Sequence, residues 1–159
     1  MRCITFLTMG RPSTRCPWTG FTERRRSCAF QKGQGKKSRP RIWKNLKNQF
    51  TEGAKVIYET GWHRQFGKDN YFSDFPSVTQ DATRYLVTRK IRLLGMDTPT
   101  PSRDWYEVHH ILLAKECEIV VVESLAHLDQ VPDRFIFSGF PLNIKGCDGS
   151  PIRTVAIFP

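Results

Sequence analysis

Residues 77–97 read SVTQDATRYLVTRKIRLLGMD, a helical pattern that runs directly into a strand pattern. Ser77 and Gln80 have the spacing of a capping box, which predicts that a helix begins here. The side chains expected near one face of that helix are Ala82, Tyr85, Leu86 and Arg89. Residues 91–95 form a short apolar run that is typical of a strand. A helix followed at once by a strand indicates an α/β domain.

The segments on both sides of this stretch continue the alternation. Residues 54–60 predict a strand upstream, and residues 105–115 predict a second helix downstream. A buried strand is expected at 118–122, and two closing strands are expected at 134–144 and 152–158. Because strands first alternate with helices and then follow one another, the sequence predicts an α/β fold with a mixed sheet.

The first 48 residues differ from the rest in charge. They hold 13 Lys and Arg against one acidic residue, a net charge of +12, whereas residues 49–159 hold 12 against 14, a net charge of −2. Residues 1–48 also lack helical or strand periodicity, so we expect a basic, disordered segment followed by a folded domain at 49–159. Trp18 or Trp43 could stack on bases in a nucleic-acid-binding arm. No binding motif accompanies the charge, so a nucleic-acid partner is not expected.

Cysteine usage and hydropathy exclude several other classes. The five cysteines include no CxxC pair, which favours reduced thiols over a zinc knuckle or a disulfide framework. No stretch approaches the roughly 20 apolar residues that span a membrane, and the first residues do not follow a signal-peptide pattern. The sequence therefore predicts a cytoplasmic protein without a membrane partner.

Six short motifs follow one another along residues 49–159. They are TGW at 60–62, YFSDFP at 71–76, LLGMDTP at 93–99, VHHILL at 108–113, VESLAHLD at 122–129 and FPLNIKGCDGSPIR at 140–153. In this order and spacing they resemble the cyclase family of metal-dependent hydrolases, which includes bacterial kynurenine formamidases (arylformamidases). The resemblance covers the C-terminal two-thirds of the chain and implies a swivelling β/β/α fold that is incomplete at its N-terminus.

The resemblance also implies a chemistry. Members of the family hydrolyse amide-like bonds in small amides or lactams such as N-formylkynurenine or isatin, and the former reaction belongs to tryptophan catabolism. A divalent metal, zinc or manganese, serves as their cofactor. Such a cation lowers the pKa of its bound water and polarises the carbonyl oxygen. Relatives usually associate, so a homo-oligomer is compatible with the resemblance.

Two positions match metal ligands of the family's second half, namely His109 and Glu123. The interval between them is a residue or two longer than the family pattern, so His110 is the alternative to His109. The alternative for both His109 and Glu123 is that they do not bind metal in this chain. The positions expected to support or line the pocket are Trp62, Asp97 and Arg153, and Trp62 could equally belong to the core. His127 is interpreted as a surface turn residue.

The motif His-x-Gly-Thr-His-x-Asp, which supplies most of the family's ligands, is absent from this sequence. The catalytic residues therefore stay unassigned. Read in a shifted frame, Met9-Gly10 must encode Gly, Trp18-Thr19 must encode Asp and Trp43-Lys44 must encode Glu, and all three fit a family-like peptide. The sequence thus leaves three hypotheses: an impaired metal-dependent hydrolase, a non-catalytic remnant that is truncated or whose first 48 residues are translated out of frame, and, least favoured, a basic nucleic-acid-binding protein.

Overall fold

The computed structural model describes residues 51–117 and 119–159 in full, and the backbone alone at 3–9 and 29–32. The seven strands are β1 (Cys3–Met9), β2 (Ala29–Lys32), β3 (Lys55–Glu59), β4 (Leu93–Met96), β5 (Val120–Glu123), β6 (Ile136–Pro141) and β7 (Gly149–Ile157). Two helices, α1 (Gln80–Thr88) and α2 (Trp105–Leu112), follow β3 and β4. Short 3₁₀ helices lie at Trp62–Gln65 and Leu128–Gln130.

All seven strands form one sheet in the order β2-β3-β4-β5-β1-β7-β6. Strands β2 to β5 run parallel, because each connection between β3, β4 and β5 carries a helix that returns the chain to the same edge. Strand β1 is antiparallel to both β5 and β7, and β6 is antiparallel to β7. The predicted α/β class with a mixed sheet is therefore confirmed.

Parts of the basic segment take part in this sheet. Residues 3–9, for which disorder was expected, form β1 between β5 and β7, and residues 29–32 form β2 at one edge. The other residues of the segment 1–48 lie outside the described part of the chain. The division at residue 48 and the out-of-frame origin of the segment stay predictions.

The first helix begins two residues later than the capping box predicts. Thr79 is the N-cap, and its side chain accepts a hydrogen bond of 3.3 Å from the backbone N–H of Ala82. Ser77 has a different task, since its hydroxyl accepts a hydrogen bond from the backbone N–H of Arg103 at 3.1 Å. The predicted capping box was wrong because Ser77 ties the helix entrance to the loop that precedes α2.

Apolar side chains fill both faces of the sheet, as the alternation of side chains along a strand requires. On the helix side, strand residues such as Val56 and Val121 pack with Leu86 of α1 and Leu112 of α2. A second cluster on the opposite face joins strand residues to the turn after β5; its members are Ile57, Leu93, Val122, Leu125, Leu128, Phe135, Phe137 and Ile152.

Both helices are short. Among the described residues, no helix is both long and apolar enough to cross a membrane.

Candidate metal centre

Three acidic residues stand where three adjacent parallel strands end. Glu59 is the last residue of β3, Asp97 directly follows β4, and Glu123 is the last residue of β5. Their exposed fractions are 6%, 0% and 4%. Burying a carboxylate is costly unless a charge, a hydrogen bond or a metal compensates it. In α/β sheets, ligands bind at this carboxyl edge of the strands, which makes it the candidate site.

Helix α2 places His109 opposite Glu123. The imidazole Nε2 lies 3.4 Å from the carboxylate Oε1, and within the described ranges neither atom has a hydrogen bond of good geometry. The other ring nitrogen, Nδ1, is 2.7 Å from the backbone carbonyl oxygen of Trp105. Because a carbonyl only accepts, Nδ1 carries a proton, and in the neutral ring the lone pair on Nε2 faces Glu123.

Electrostatics at this pair favour a positive charge between the two groups. Burial by itself lowers the pKa of His109, but the Glu123 carboxylate and the Trp105 carbonyl outweigh it, so the pKa of His109 is raised above its ordinary value. A proton held in this way is what a metal ion displaces when it binds imidazole. The pair can therefore hold either a proton or a cation.

His110, the alternative ligand, faces elsewhere. Its ring is exposed, its Nδ1 lies 3.0 Å from the carbonyl oxygen of Tyr106, and the two rings are 4.2 Å apart. The helix thus brings His109 together with Glu123 and turns His110 toward solvent.

Asp97 anchors the turn after β3. Its Oδ1 accepts hydrogen bonds from the backbone N–H of Thr60 at 2.9 Å and from the Thr60 hydroxyl at 2.8 Å. Trp62 belongs to the same loop, and its indole N–H donates to the carbonyl oxygen of Tyr71 at 3.0 Å. Both residues therefore shape the loops that border the candidate site.

Arg153 lies apart from this loop. It is exposed on β7, two strands away from β5, and its neighbours in the strand, Ile152 and Thr154, are buried. The side chain therefore points away from the core side of β7.

Two tyrosines were not foreseen from the sequence. Tyr58 and Tyr71 are buried close to Asp97 and Glu123, and burial raises the pKa of both phenols despite hydrogen bonds that oppose the shift. Both rings therefore stay neutral near pH 7. The Tyr71 hydroxyl lies 3.3 Å from the hydroxyl oxygen of Ser124.

Ser124 turns the chain directly after Glu123. Its φ of 57° lies in the left-handed region, where residues other than glycine are strained. The turn is held by backbone N–H groups on both sides of the bend: that of Ser124 donates to Thr98 at 2.9 Å, and that of Leu125 donates to Met96 at 2.7 Å. Strand β4 and its following loop therefore hold the backbone that directly follows Glu123.

A second group of ligand-type side chains lies at the same edge. Glu59, His63 and Asp129 each offer one ligand atom, and these atoms lie within 4.8 Å of one another. His63 also has its Nδ1 3.4 Å from Oδ2 of Asp97. His63 was not predicted as a site residue, because it lies outside the family motif. Its position four residues after a strand-ending Glu59 is the signal that could have drawn attention to it.

In comparison with known proteins, residues 35–103 match the family model described as putative cyclase. The isatin hydrolase of Roseibium aggregatum is 28% identical over 140 residues, which cover 75% of this chain and 50% of that protein. A kynurenine formamidase of Bacillus cereus is 34% identical over 117 residues, covering 70% of this chain and 54% of that protein. The chain thus spans about half the length of these curated relatives.

Solved structures share the fold. The predicted metal-dependent hydrolase from Bacillus stearothermophilus superimposes with a TM-score of 0.72 at 21% identity, covering 96% of this chain and 75% of that one. Isatin hydrolase A from Ralstonia solanacearum gives a TM-score of 0.62 at 23% identity, with 82% and 53% covered. These likenesses agree with the fold type that the six motifs implied.

Proposed function

We propose that this chain, a member of the cyclase family, is a metal-dependent hydrolase of amide-like bonds in small molecules. The substrate class is a formamide or lactam, as the names kynurenine formamidase and isatin hydrolase of its relatives suggest. In this proposal His109 and Glu123 bind a divalent cation, zinc or manganese. Imidazole nitrogen and carboxylate oxygen are ligands that both ions accept.

One observation carries the proposal, the spacing of Nε2 of His109 and Oε1 of Glu123 at 3.4 Å. A tetrahedral ion with metal–ligand distances of about 2.1 Å separates its donor atoms by about 3.4 Å. The Trp105 carbonyl fixes the ring in the tautomer that a ligand needs, as a hydrogen-bonding partner behind a metal-bound histidine commonly does. His109 and Glu123 therefore fit the divalent cation that the family implies.

When bound, the cation would supply an activated water and a polarised carbonyl. The chain's own residues then have simpler tasks. Glu123 balances the positive charge, and His109 gives up its Nε2 proton to provide the lone pair. Burial raises the pKa of Tyr71, so its neutral phenol keeps its O–H beside Ser124 near pH 7 and can donate a hydrogen bond.

We further propose that turnover by this chain is impaired. His109 and Glu123 supply two ligands, whereas zinc in a hydrolase normally has three protein ligands. The sequence lacks His-x-Gly-Thr-His-x-Asp, from which the family resemblance takes the others. An incomplete set of ligands lowers metal affinity and loosens the geometry on which the chemistry depends.

The second candidate is a non-catalytic remnant of the family. It is favoured by the same missing motif and by the three codon pairs that must encode Gly, Asp and Glu in a shifted frame. The nucleotide sequence of the gene tests the frame hypothesis directly. A shifted frame that encodes no family-like peptide at residues 1–48 would rule it out.

Metal content and turnover of the purified chain separate the two candidates. We expect zinc or manganese to bind at the His109–Glu123 pair and N-formylkynurenine to be hydrolysed slowly. His109→Ala and Glu123→Gln should each abolish turnover and remove the metal ion bound at this pair. The matched control is His110→Ala, which changes the neighbouring exposed histidine and should leave metal binding intact. A chain that binds no metal would support the remnant, and loss of metal in His110→Ala alone would overturn the assignment of His109.

A further inference from the structure

The group formed by Glu59, His63 and Asp129 draws its members from three separate elements. Glu59 ends β3, His63 lies in the first 3₁₀ helix, and Asp129 lies in the second. The imidazole Nε2 is 3.9 Å from Oδ1 of Asp129, and all three ligand atoms lie within 4.8 Å of one another. One imidazole and two carboxylates are a combination that zinc and related ions bind.

A fourth residue, outside this set, orients the histidine. Asp97 is fully buried and is itself held by two hydrogen bonds from Thr60, and its Oδ2 lies 3.4 Å from Nδ1 of His63. A carboxylate behind an imidazole places the proton on Nδ1 and leaves Nε2 facing the other way, an arrangement that accompanies most metal-bound histidines. Here Nε2 faces Asp129.

The group is distinct from the His109–Glu123 pair. Side chains alternate along β3, and Tyr58 packs on the helix side while Ile57 packs on the opposite face with Leu128. Glu59 therefore falls on the face of Ile57, next to the turn that carries Asp129. His109 comes from α2 and lies on the helix side with Val108 and Leu112.

We propose that Glu59, His63 and Asp129 form a second divalent-cation site, selective for zinc-like ions over magnesium and calcium, that ties the loop after β3 to the turn after β5. A tetrahedral ion needs donor atoms about 3.4 Å apart, so the carboxylates must close in slightly. Asp129 can do so, because its side chain is 33% exposed on a short turn. Glu59 has a further interaction of its own, and the ion needs only one of its two carboxylate oxygens.

The competing state is a set of ion pairs without metal. Arg64 lies 3.4 Å from Oδ2 of Asp129, and a protonated His63 could bridge Asp97 and Asp129. In that state the charge of the histidine and arginine replaces the charge of the cation. Direct titration with zinc distinguishes the two states.

The test uses the full chain, with zinc binding measured by calorimetry and by the shift in melting temperature. We expect His63→Ala and Asp129→Asn to weaken one zinc-binding event by more than about tenfold. His127→Ala is the matched control, because His127 is exposed, adjoins the same 3₁₀ helix and should not matter. Asp129→Asn changes an exposed side chain and keeps the test valid even if His63→Ala fails to fold.

The His109→Ala variant separates this site from the proposed hydrolytic one. A zinc-binding event that survives His109→Ala but is lost in Asp129→Asn supports the second site whether or not the chain has hydrolase activity. Zinc binding that is unchanged in both His63→Ala and Asp129→Asn would overturn it. Magnesium binding as tight as zinc binding would also overturn the second site, and so would an equal loss of zinc binding in His127→Ala.

Discussion

Two histidine–carboxylate groups share one edge of the sheet, and they differ in how their polar atoms are satisfied. His109 and Glu123 are buried against each other, and in the described residues their facing atoms have no further hydrogen bond. His63 lies among Asp97 and Asp129, with Arg64 completing a partly exposed network. The facing atoms of the first group have only their mutual contact among the described residues, whereas the second group has several contacts between its charged atoms.

The first site contains a buried pair whose members depend on each other, whereas the second contains ion pairs that water can replace. A buried pair gives little net stability, but removing one partner leaves an uncompensated group in a low dielectric. Exposed ion pairs contribute little and cost little to remove, because water replaces them. We therefore expect the two groups to respond very differently to the same kind of substitution.

The largest effect should come from His109→Ala, which leaves the Glu123 carboxylate buried without its partner. We expect a loss of about 3 kcal/mol in the free energy of unfolding, measured by urea denaturation near pH 7. The matched control replaces both residues by leucine, and it should lie close to the wild type because no buried charge remains. If the single variant is no less stable than the double one, the two groups are not a coupled pair.

Gly95→Ala tests the opposite face of the sheet. Overpacking should lower the free energy of unfolding by about 1–3 kcal/mol. A Cβ at this position would lie 2.9 Å from Cδ1 of Leu125 and 3.0 Å from Cγ1 of Ile57. Adding Leu125→Val should restore part of the loss in a thermal melt. The pKa of His109 should not change, since its ring lies on the other face, and a shift there would show that the two faces are not independent.

The pH dependence of stability should follow His109. Its pKa in the folded chain is raised above the ordinary value of 6.5, so the charged pair stabilises the fold fully below that value. The contribution is lost as the pH rises through the folded-state pKa. The free energy of unfolding of the wild type minus that of the double leucine variant should therefore decline from pH 6 upward. A difference that rises with pH would contradict the assigned shift.

The smallest effect should come from Arg64→Ala in the exposed network. The guanidinium is 65% exposed and lies 3.4 Å from Asp129, so its removal should cost less than about 1 kcal/mol. The residual effect should also shrink in high salt, as screening requires. A loss comparable to that of His109→Ala would show that the network is more strongly coupled than its exposure indicates.

Local patterns carried the prediction of the fold well. Apolar patterns predicted β3, β4 and β5 within a few residues of their observed bounds, and α2 begins at the predicted residue 105, whereas α1 begins two residues later than predicted. The first helix cap was wrong because Ser77 hydrogen-bonds across 26 residues to Arg103, a contact that no local pattern contains.

The site was predicted only in part. His109 and Glu123 stood out because they match a family motif. His63 did not, because its partner Asp97 is 34 residues away and Asp129 lies farther still, on a different turn. Tyr71 and Ser124, 53 residues apart, were missed for the same reason.

The sequence by itself determined the α/β class, the order of the strands and helices along residues 51–159, and the motifs that mark the family, because each of these depends on neighbouring residues. Only the tertiary structure decided which of two adjacent histidines faces Glu123. Consecutive residues on a helix point about 100° apart, and the packing of α2 on the sheet selects His109. The structure also decided that three strand ends meet, since pairing between distant strands brings together carboxylates that the chain keeps far apart.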